Sequence, residues 1–195
     1  MANTNAPYGF RYVGLIDGTP PNYGLYTGKI ITTNTNKIFA GDVLKPLSGG
    51  YFDVATVVGG GSQVGAIAVG FEWISKTIGR RVFQPYWPGN GDANGDVTVK
   101  VALQPQSMFQ VQCTLGPIAQ ANVGQNANFN VGAGGNTFSG ISSFTLDDST
   151  LGAGASLPFR VYRIGTTDPL YTMSGFDPTV AYNSVFVVFN NQVMV

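Results

Sequence analysis

The feature that most constrains this chain is the spacing of its apolar residues. Val97, Val99 and Val101 alternate with polar residues, which is typical of a half-buried antiparallel strand. Similar short runs recur along the chain and are separated by Gly, Asn, Asp and Pro, which favour turns. Apolar residues nowhere repeat at spacings of three and four for more than about two turns, so we expect little helix. The sequence therefore predicts a single all-β domain.

Three segments define the predicted organisation of the chain. Residues 1–7 are small and polar, and we expect an N-terminal arm that orders only on contact with something else. Residues 8–195 form the β domain. Within it, residues 116–140 are dominated by Gly, Asn, Ala and Gln, which predicts a long loop with one short strand at 129–131.

The run at 184–189, SVFVVF, is the most β-prone window and carries no charge. A strand of this kind promotes aggregation when it lies at a sheet edge. We therefore expect it either in the centre of a sheet or paired with another subunit. The second arrangement, together with the low charge of the chain, favours a homo-oligomer.

The charge of the chain limits its partners. Charged residues make up only 10% of the sequence and the formal net charge is zero, whereas an average soluble protein has about 25%. Nucleic acid and membrane surfaces are therefore not expected as partners, because neither finds a basic footprint. The N-terminus lacks the features of a signal peptide, so we expect synthesis in the cytoplasm without an anchor. A polar surface that barely repels its own copies suits assembly.

The residues that most catalytic sites use are missing or isolated. The sequence contains no histidine and one cysteine, Cys113, which lies in a strand-like run and is expected to be a buried, inert thiol. Asp147 and Asp148 are adjacent and would point to opposite faces of a strand, so we expect a turn in which a carboxylate caps backbone N–H groups. We expect no catalytic residue and no cofactor.

A loop at 92–96 matches the front of a calcium site. Asp92, Asn94 and Asp96 supply oxygen atoms at alternate positions, but Leu103 stands where a calcium loop needs its closing acid. The same sequence is typical of a hairpin tip. We expect no metal-binding residues, and weak calcium binding at this loop is kept as an alternative.

The segment 69–96 holds both tryptophans and an arginine pair. Pro85 and Pro88 lock the backbone on either side of Tyr86 and Trp87, which predicts a sheet edge or a fixed surface ledge for protein contact. The alternative is that these aromatic residues close one end of a β core. Arg80 and Arg81 are expected to form an ion pair with Glu72 or with a partner's carboxylate, and a clamp for a sugar or nucleotide is a weaker alternative.

Motifs spread along nearly the whole chain resemble one family. They are NAPYGFR at 5–11, AGDVL at 40–44, Val64-Gly65 leading to Gly70-Phe71, PYWP at 85–88, NVGQNA at 122–127, GIS at 140–142 with TLD at 145–147, and VVFNNQ at 187–192. In residues, order and spacing they resemble the capsid cement, or head decoration, proteins of tailed bacteriophages. The resemblance implies an antiparallel β-barrel or jelly-roll-like sandwich and no catalysis.

The resemblance also implies a location and partners. It implies a trimer on the outer surface of the virion capsid, bound to the major capsid protein. The residues expected at capsid or subunit contacts are Tyr8, Phe10, Arg11, Arg80, Arg81, Tyr86, Trp87, Phe186 and Phe189. The alternative function is a carbohydrate-binding or receptor-binding β-sandwich of the virion, which would also use Tyr and Trp platforms.

Overall fold

Strands account for almost all of the regular structure. The computed structural model describes residues 3–18, 25–56, 63–89, 91–165 and 177–193. The strands are β1 (Arg11–Leu15), β2 (Tyr26–Ile30), β3 (Ile38–Phe39), β4 (Val43–Leu47), β5 (Tyr51–Val54), β6 (Ala66–Ile74), β7 (Arg81–Gln84), β8 (Tyr86–Trp87), β9 (Val97–Ala102), β10 (Ser107–Gln112), β11 (Asn126–Asn130), β12 (Thr145–Gly152), β13 (Phe159–Ile164) and β14 (Ser184–Phe189). Among these residues the helical structure is one 3-10 turn at Gln120–Asn122. The prediction of an all-β fold is confirmed.

Five strands close into a barrel. They are hydrogen-bonded in the order β4-β5-β2-β9-β6, and β4 pairs again with β6, where Leu44 lies opposite Ala66. β7 extends the sheet beyond β6. The pairs are antiparallel except β2 with β5, which is parallel. The alternation in β9 points Val97, Val99 and Val101 into the barrel cluster. The predicted barrel is therefore present.

A second sheet packs against the barrel. Its strand order is β1-β10-β14-β13-β11-β12, so the apolar strand β14 has a partner on both edges. Val185 and Val187 point into the main core, whereas Phe186 and Val188 pack with Met108 in a separate cluster. The prediction of a central strand is confirmed. Because both edges of β14 are paired within the chain, this strand offers no free edge to another subunit.

Aromatic rings fill the core between the barrel and the second sheet. Phe10 stacks on Phe159 with ring centroids 4.4 Å apart, and Phe159 stacks on Phe189 at 5.7 Å. Phe109 meets Phe189 edge-on at 5.1 Å. The same cluster includes residues of β4 and β6 from the barrel, so the two sheets share one core.

The N-terminal segment is hydrogen-bonded to the chain itself. The Gln112 side chain donates to the Thr4 carbonyl (2.8 Å) and accepts from the Ala6 N–H (3.1 Å). Asn3 Nδ2 donates to the Asp177 carbonyl (2.9 Å). The predicted arm is therefore in contact, over residues 3–7, with β10 and with the segment before β14. Residues 1 and 2 lie outside the described residues.

The predicted long loop at 116–140 contains a strand. β11 lies between β12 and β13 in the second sheet, so the prediction of a loop is wrong there, and the strand begins earlier than 129. Its composition hides it because asparagine has low β propensity. The polar groups are satisfied: the Asn126 side chain donates to the Gly154 carbonyl (3.1 Å) and accepts from Arg160 Nε (3.0 Å).

The adjacent carboxylates cap backbone N–H groups, as predicted. They lie in a bulge of β12, where the register with β11 shifts. Asp147 Oδ1 accepts from the Ser149 N–H (3.1 Å). The Asp148 carboxylate accepts from the N–H groups of Leu115 and Gly116, each at 2.9 Å. The predicted capping is confirmed, although the strand continues through the expected turn.

Candidate contact surfaces

Trp87 lies in the barrel interior and not on a surface ledge. Its side chain is 0% exposed, and its ring meets Trp73 edge-on at 5.2 Å. β8 pairs with β3, which sets Trp87 opposite Ile38, and both join the barrel cluster. Tyr86 is half-buried and stacks on Phe39 at 5.5 Å. The ledge interpretation is wrong for Trp87, because this short two-stranded sheet carries its ring into the core.

The arginine pair lies on the exposed side of the β6–β7 hairpin. Arg81 Nη1 is 2.8 Å from Glu72 Oε1, so the predicted ion pair is confirmed. Arg80 is exposed, and its carbonyl accepts from the Ser75 N–H (2.9 Å). The predicted sugar clamp lacks its main platform, because the Trp87 ring is buried.

Two of the expected contact residues in β14 are buried within the chain. Phe189 belongs to the core between the sheets. Phe186 points to the opposite face, where the Arg163 guanidinium lies 4.8 Å from its ring centroid. Neither ring is available to a capsid or a second subunit in this arrangement, so the expectation of contact through them is wrong. The physical reason is that both faces of β14 are covered: Phe189 lies in the core between the sheets, and Phe186 packs with Met108 and Val188 on the opposite face.

Tyr8, Phe10 and Arg11 lie together at the start of the second sheet. The Tyr8 hydroxyl shares a hydrogen bond with Ser184 Oγ (2.7 Å), and burial raises the pKa of Tyr8 to about 12. Phe10 is part of the core. Arg11 is exposed. Of the nine residues expected at contacts, these three border the same cavity.

That cavity, which we call the N-terminal pocket, has a volume of about 470 Å³ and a mostly apolar wall. It opens where the start of β1 crosses β6 and the turn after β3. Its lining includes Tyr8, Phe10, Arg11, Tyr12, Val69 and Ile141. An apolar concave surface with a few polar groups is the usual form of a binding site.

The 39–42 turn, which joins β3 to β4, connects the elements around the pocket. Gly41 accepts from the Phe10 N–H (2.9 Å) and donates to a carbonyl of β6 (2.8 Å). Ala40 donates to the carbonyl just before β8 (2.7 Å) and to the Gly140 carbonyl (3.1 Å). One turn therefore holds four separate segments of the chain.

Asp42 is a buried carboxylate within this turn. It is 2% exposed, and its Oδ2 accepts from the Phe39 N–H (2.8 Å). Its Oδ1 is buried and has no hydrogen-bond partner within the part of the chain that the structure describes. Burial raises the pKa of Asp42 to about 6, against smaller opposite effects of the Ser142 hydroxyl and the Phe39 N–H. The turn therefore carries a charge that becomes costly near neutral pH.

A second turn, at 136–141, presents an aromatic side chain that the sequence reasoning missed. Phe138 is 99% exposed. Asn136 Oδ1 accepts from the N–H groups of Phe138 (2.8 Å) and Ser139 (3.2 Å), and the Asn136 carbonyl accepts from the Gly140 N–H (2.7 Å). The available signal was a single aromatic residue within the turn-forming sequence NTFSG.

Cys113 is buried, as predicted. Its single S–H has two acceptors within reach, the Gly116 carbonyl (2.7 Å from Sγ) and Asn183 Oδ1 (3.1 Å). Burial, with a smaller effect from the nearby Asp148 carboxylate, raises the pKa of the Cys113 thiol to about 12. The thiol therefore serves as a hydrogen-bonded core group.

The carboxylates of the 92–96 loop bond to different partners. Asp92 accepts from Thr77 Oγ1 (2.6 Å), the Thr77 N–H (3.1 Å) and Trp73 Nε1 (3.1 Å), and hydrogen bonding, led by Thr77, holds the pKa of Asp92 well below its usual range. Asp96 accepts from the Tyr51 hydroxyl (3.0 Å). Within the described ranges, no group of three or more His, Cys, Asp or Glu residues is placed to hold a metal ion. The geometry gives the calcium interpretation no support.

Comparison with known protein families, curated proteins and solved structures finds no match to this chain. In the part of the chain that the structure describes, no helix is long and apolar enough to span a membrane.

Proposed function

We propose that this chain is a structural protein of a bacteriophage virion. In this proposal it binds the outer surface of the capsid as a homo-oligomer and stabilises the lattice of the major capsid protein. The proposal starts from the motifs that resemble capsid cement proteins and from the low charge of the sequence. A cement protein contacts its own copies and several capsid subunits at once, so modest interfaces add up across the shell.

The observation that carries the proposal is a set of large apolar side chains exposed on hydrogen-bonded elements. Phe83, in β7, is 68% exposed, and Phe138 is 99% exposed. Ile78 and Leu115 are also exposed on turns. Apolar groups held in place at a surface favour protein contact, because little conformational entropy opposes their burial.

The carboxylates also support a structural role. Asp92, Asp147 and Asp148 accept hydrogen bonds from groups that hold turns and strands together. The carbohydrate-binding alternative depended on Tyr86 and Trp87 as a platform, and no observation favours it now that Trp87 is assigned to the barrel interior.

Binding to capsids that lack this chain tests the proposal. Purified protein is added to such capsids, and bound copies and the temperature of capsid opening are measured. We expect binding to saturate at a copy number that scales with the capsid subunits, and the opening temperature to rise. Binding restricted to the tail or to glycans, or no change in capsid stability at saturation, would overturn the proposal.

A further inference from the structure

The 136–141 turn holds Phe138 out from the surface in a defined position. Its backbone is closed at both ends, because Asn136 donates to the Ile141 carbonyl (2.9 Å) and accepts from the Gly140 N–H (2.7 Å). Gly140 is in turn bonded to Ala40 of the 39–42 turn. Because the Phe138 side chain is 99% exposed, its apolar surface stabilises the protein only when another molecule covers it and removes it from water.

The same turn reaches the N-terminal pocket. Ile141 lines the pocket and is three residues from Phe138, so the two Cα atoms are at most about 10 Å apart. Phe138 does not fill the pocket of its own chain, since its side chain is almost fully exposed. The turn that carries the exposed ring therefore also lines an apolar cavity.

We propose that Phe138 of one copy inserts into the N-terminal pocket of a second copy. This inference rests on the homo-oligomer of the proposed function and names its contact surface. The size is suitable: a cavity of about 150 Å³ accommodates a benzene ring, and the pocket of about 470 Å³ has room for a phenylalanine side chain and part of its turn. Such a contact is either reciprocal, in a two-fold dimer, or head-to-tail, in which case it closes into a ring of copies when the rotation between neighbours permits.

Charge favours this occupant. No charged residue stands between Lys100 and Asp147, so the whole 136–141 turn can lose water without desolvating a charge. Among the pocket residues, Arg11 is the charged one, and a guanidinium at the rim attracts the face of an entering aromatic ring. The neutral chain also imposes no net repulsion between copies.

The area is that of an anchor within a larger interface. An aromatic side chain buries about 200 Å² and covers a similar area of its pocket, which is about a quarter to a third of a small specific interface. Aromatic residues seated in pockets near the centre of an interface contribute most of its binding energy. The surrounding surface needs only to exclude water.

Photo-crosslinking tests the contact directly. Phe138 is replaced by p-benzoylphenylalanine, which keeps an aromatic side chain at this position and reacts on irradiation with the groups it touches. The labelled chain is mixed with an isotopically heavy wild-type chain, so that mass spectrometry separates bonds between copies from bonds within one. The matched control carries the same amino acid in place of Phe83, which is also exposed but lies on β7. We expect adducts from position 138 to Tyr12, Val69 or Ile141 of the heavy chain, and none to these residues from position 83.

Two further arms make the result decisive. Phe138→Asp in the heavy chain leaves its pocket intact and should preserve the adducts, whereas Val69→Trp in the heavy chain narrows the pocket and should reduce them at least tenfold. Adducts only within one chain, or to a different surface of the second copy, would overturn the inference. The same irradiation is repeated on capsids decorated with the labelled chain. Adducts to a capsid subunit in place of a second copy would overturn the inference while leaving the capsid-binding proposal standing, and adducts between copies without capsid binding would do the reverse.

Discussion

Trp87 and Phe138 lie on two segments that are both hydrogen-bonded to Ala40 of the 39–42 turn, yet one side chain is buried and the other is exposed. The Ala40 N–H donates to the carbonyl just before β8, the strand that carries Trp87. It also donates to the Gly140 carbonyl in the 136–141 turn, which carries Phe138. Trp87 is 0% exposed and Phe138 is 99% exposed. Both segments are held in place, so local rigidity does not decide which ring is buried.

The difference is set by what lies beside each segment. β8 pairs with β3 and lies at the barrel, where Trp73 receives the Trp87 ring. The 136–141 turn contacts the 39–42 turn and, at Gly140, the Pro85 ring, and no part of the described chain covers the Phe138 ring. From this comparison we expect Trp87 to stabilise the fold and Phe138 to mediate association between copies. Each of the following predictions tests one part of this division of roles.

The largest effect is expected from truncating the buried ring. Trp87→Ala should lower the free energy of unfolding by about 3–5 kcal/mol, because it removes a large core side chain and leaves a cavity beside Trp73. At a protein concentration low enough for the chain to be monomeric, the matched change Phe138→Ala should alter it by less than about 0.5 kcal/mol, because the side chain is exposed in the single chain. Urea denaturation followed by tryptophan fluorescence and circular dichroism measures both. Equal losses in the two variants would contradict the division.

The next largest loss of stability is expected at Gly140, where the 136–141 turn packs against Pro85. Gly140 has a positive φ of +72°, and a Cβ at this position would collide with the Pro85 ring. Gly134 has a φ of +97° with no atom within 4 Å of its Cβ position. Gly140→Ala should therefore cost about 3 kcal/mol, and Gly134→Ala only the backbone cost of about 1–2 kcal/mol. Thermal unfolding of the two variants checks the difference, and the same melting temperature for both would show that the collision is relieved by local movement.

The free energy of unfolding is expected to depend on pH through Asp42 in the 39–42 turn. Burial raises the pKa of Asp42 to about 6 in the folded chain, against about 4 when unfolded, so the folded state binds this proton more tightly. Below about pH 4 the carboxyl is neutral in both states and costs nothing. Stability is lost as the pH rises towards about 6, and a cost on the order of 2–3 kcal/mol remains above it.

The variant Asp42→Asn isolates this contribution. The unfolding free energy of the variant relative to wild type should rise by that amount between about pH 4 and pH 6.5, because the amide has no charge to bury. Urea titrations at several pH values measure it. Comparison with the wild type at each pH is needed because Asp92, whose pKa is lowered, titrates with the opposite sign. A difference that does not change with pH would contradict the assignment.

The smallest effect is expected at the surface ion pair. Arg81 is largely exposed in its contact with Glu72, so the pair should contribute less than about 1 kcal/mol. A double-mutant cycle with Arg81→Ala and Glu72→Ala measures it, and the coupling should decrease further in high salt. A coupling above about 2 kcal/mol would show that the hairpin outside the barrel is more important for stability than the comparison allows.

Local patterns in the sequence predicted most of the strands, but they did not predict which aromatic side chains are buried and which are exposed. Alternation identified β9, and the apolar run identified β14 with its central position, because burial on both faces leaves a continuous apolar segment. For β11 the predicted short strand at 129–131 missed residues 126–128, because asparagine has low β propensity and the bonds of Asn126 to Gly154 and Arg160 are not visible in the sequence. The fates of Trp87 and Phe138 depend on barrel closure and on pairing between residues far apart in the chain, which no local pattern records.

The division between a stabilising interior and an associating exterior is tested most directly by the self-association of one variant. Sedimentation equilibrium of the wild-type chain is compared with that of Phe138→Ser, with Tyr26→Ser as a control that removes an exposed aromatic residue elsewhere. The account predicts that Phe138→Ser weakens association at least tenfold, about 1.4 kcal/mol or more, while Tyr26→Ser and the wild type agree. Association that is unchanged in Phe138→Ser, or equally weakened in both variants, would contradict it.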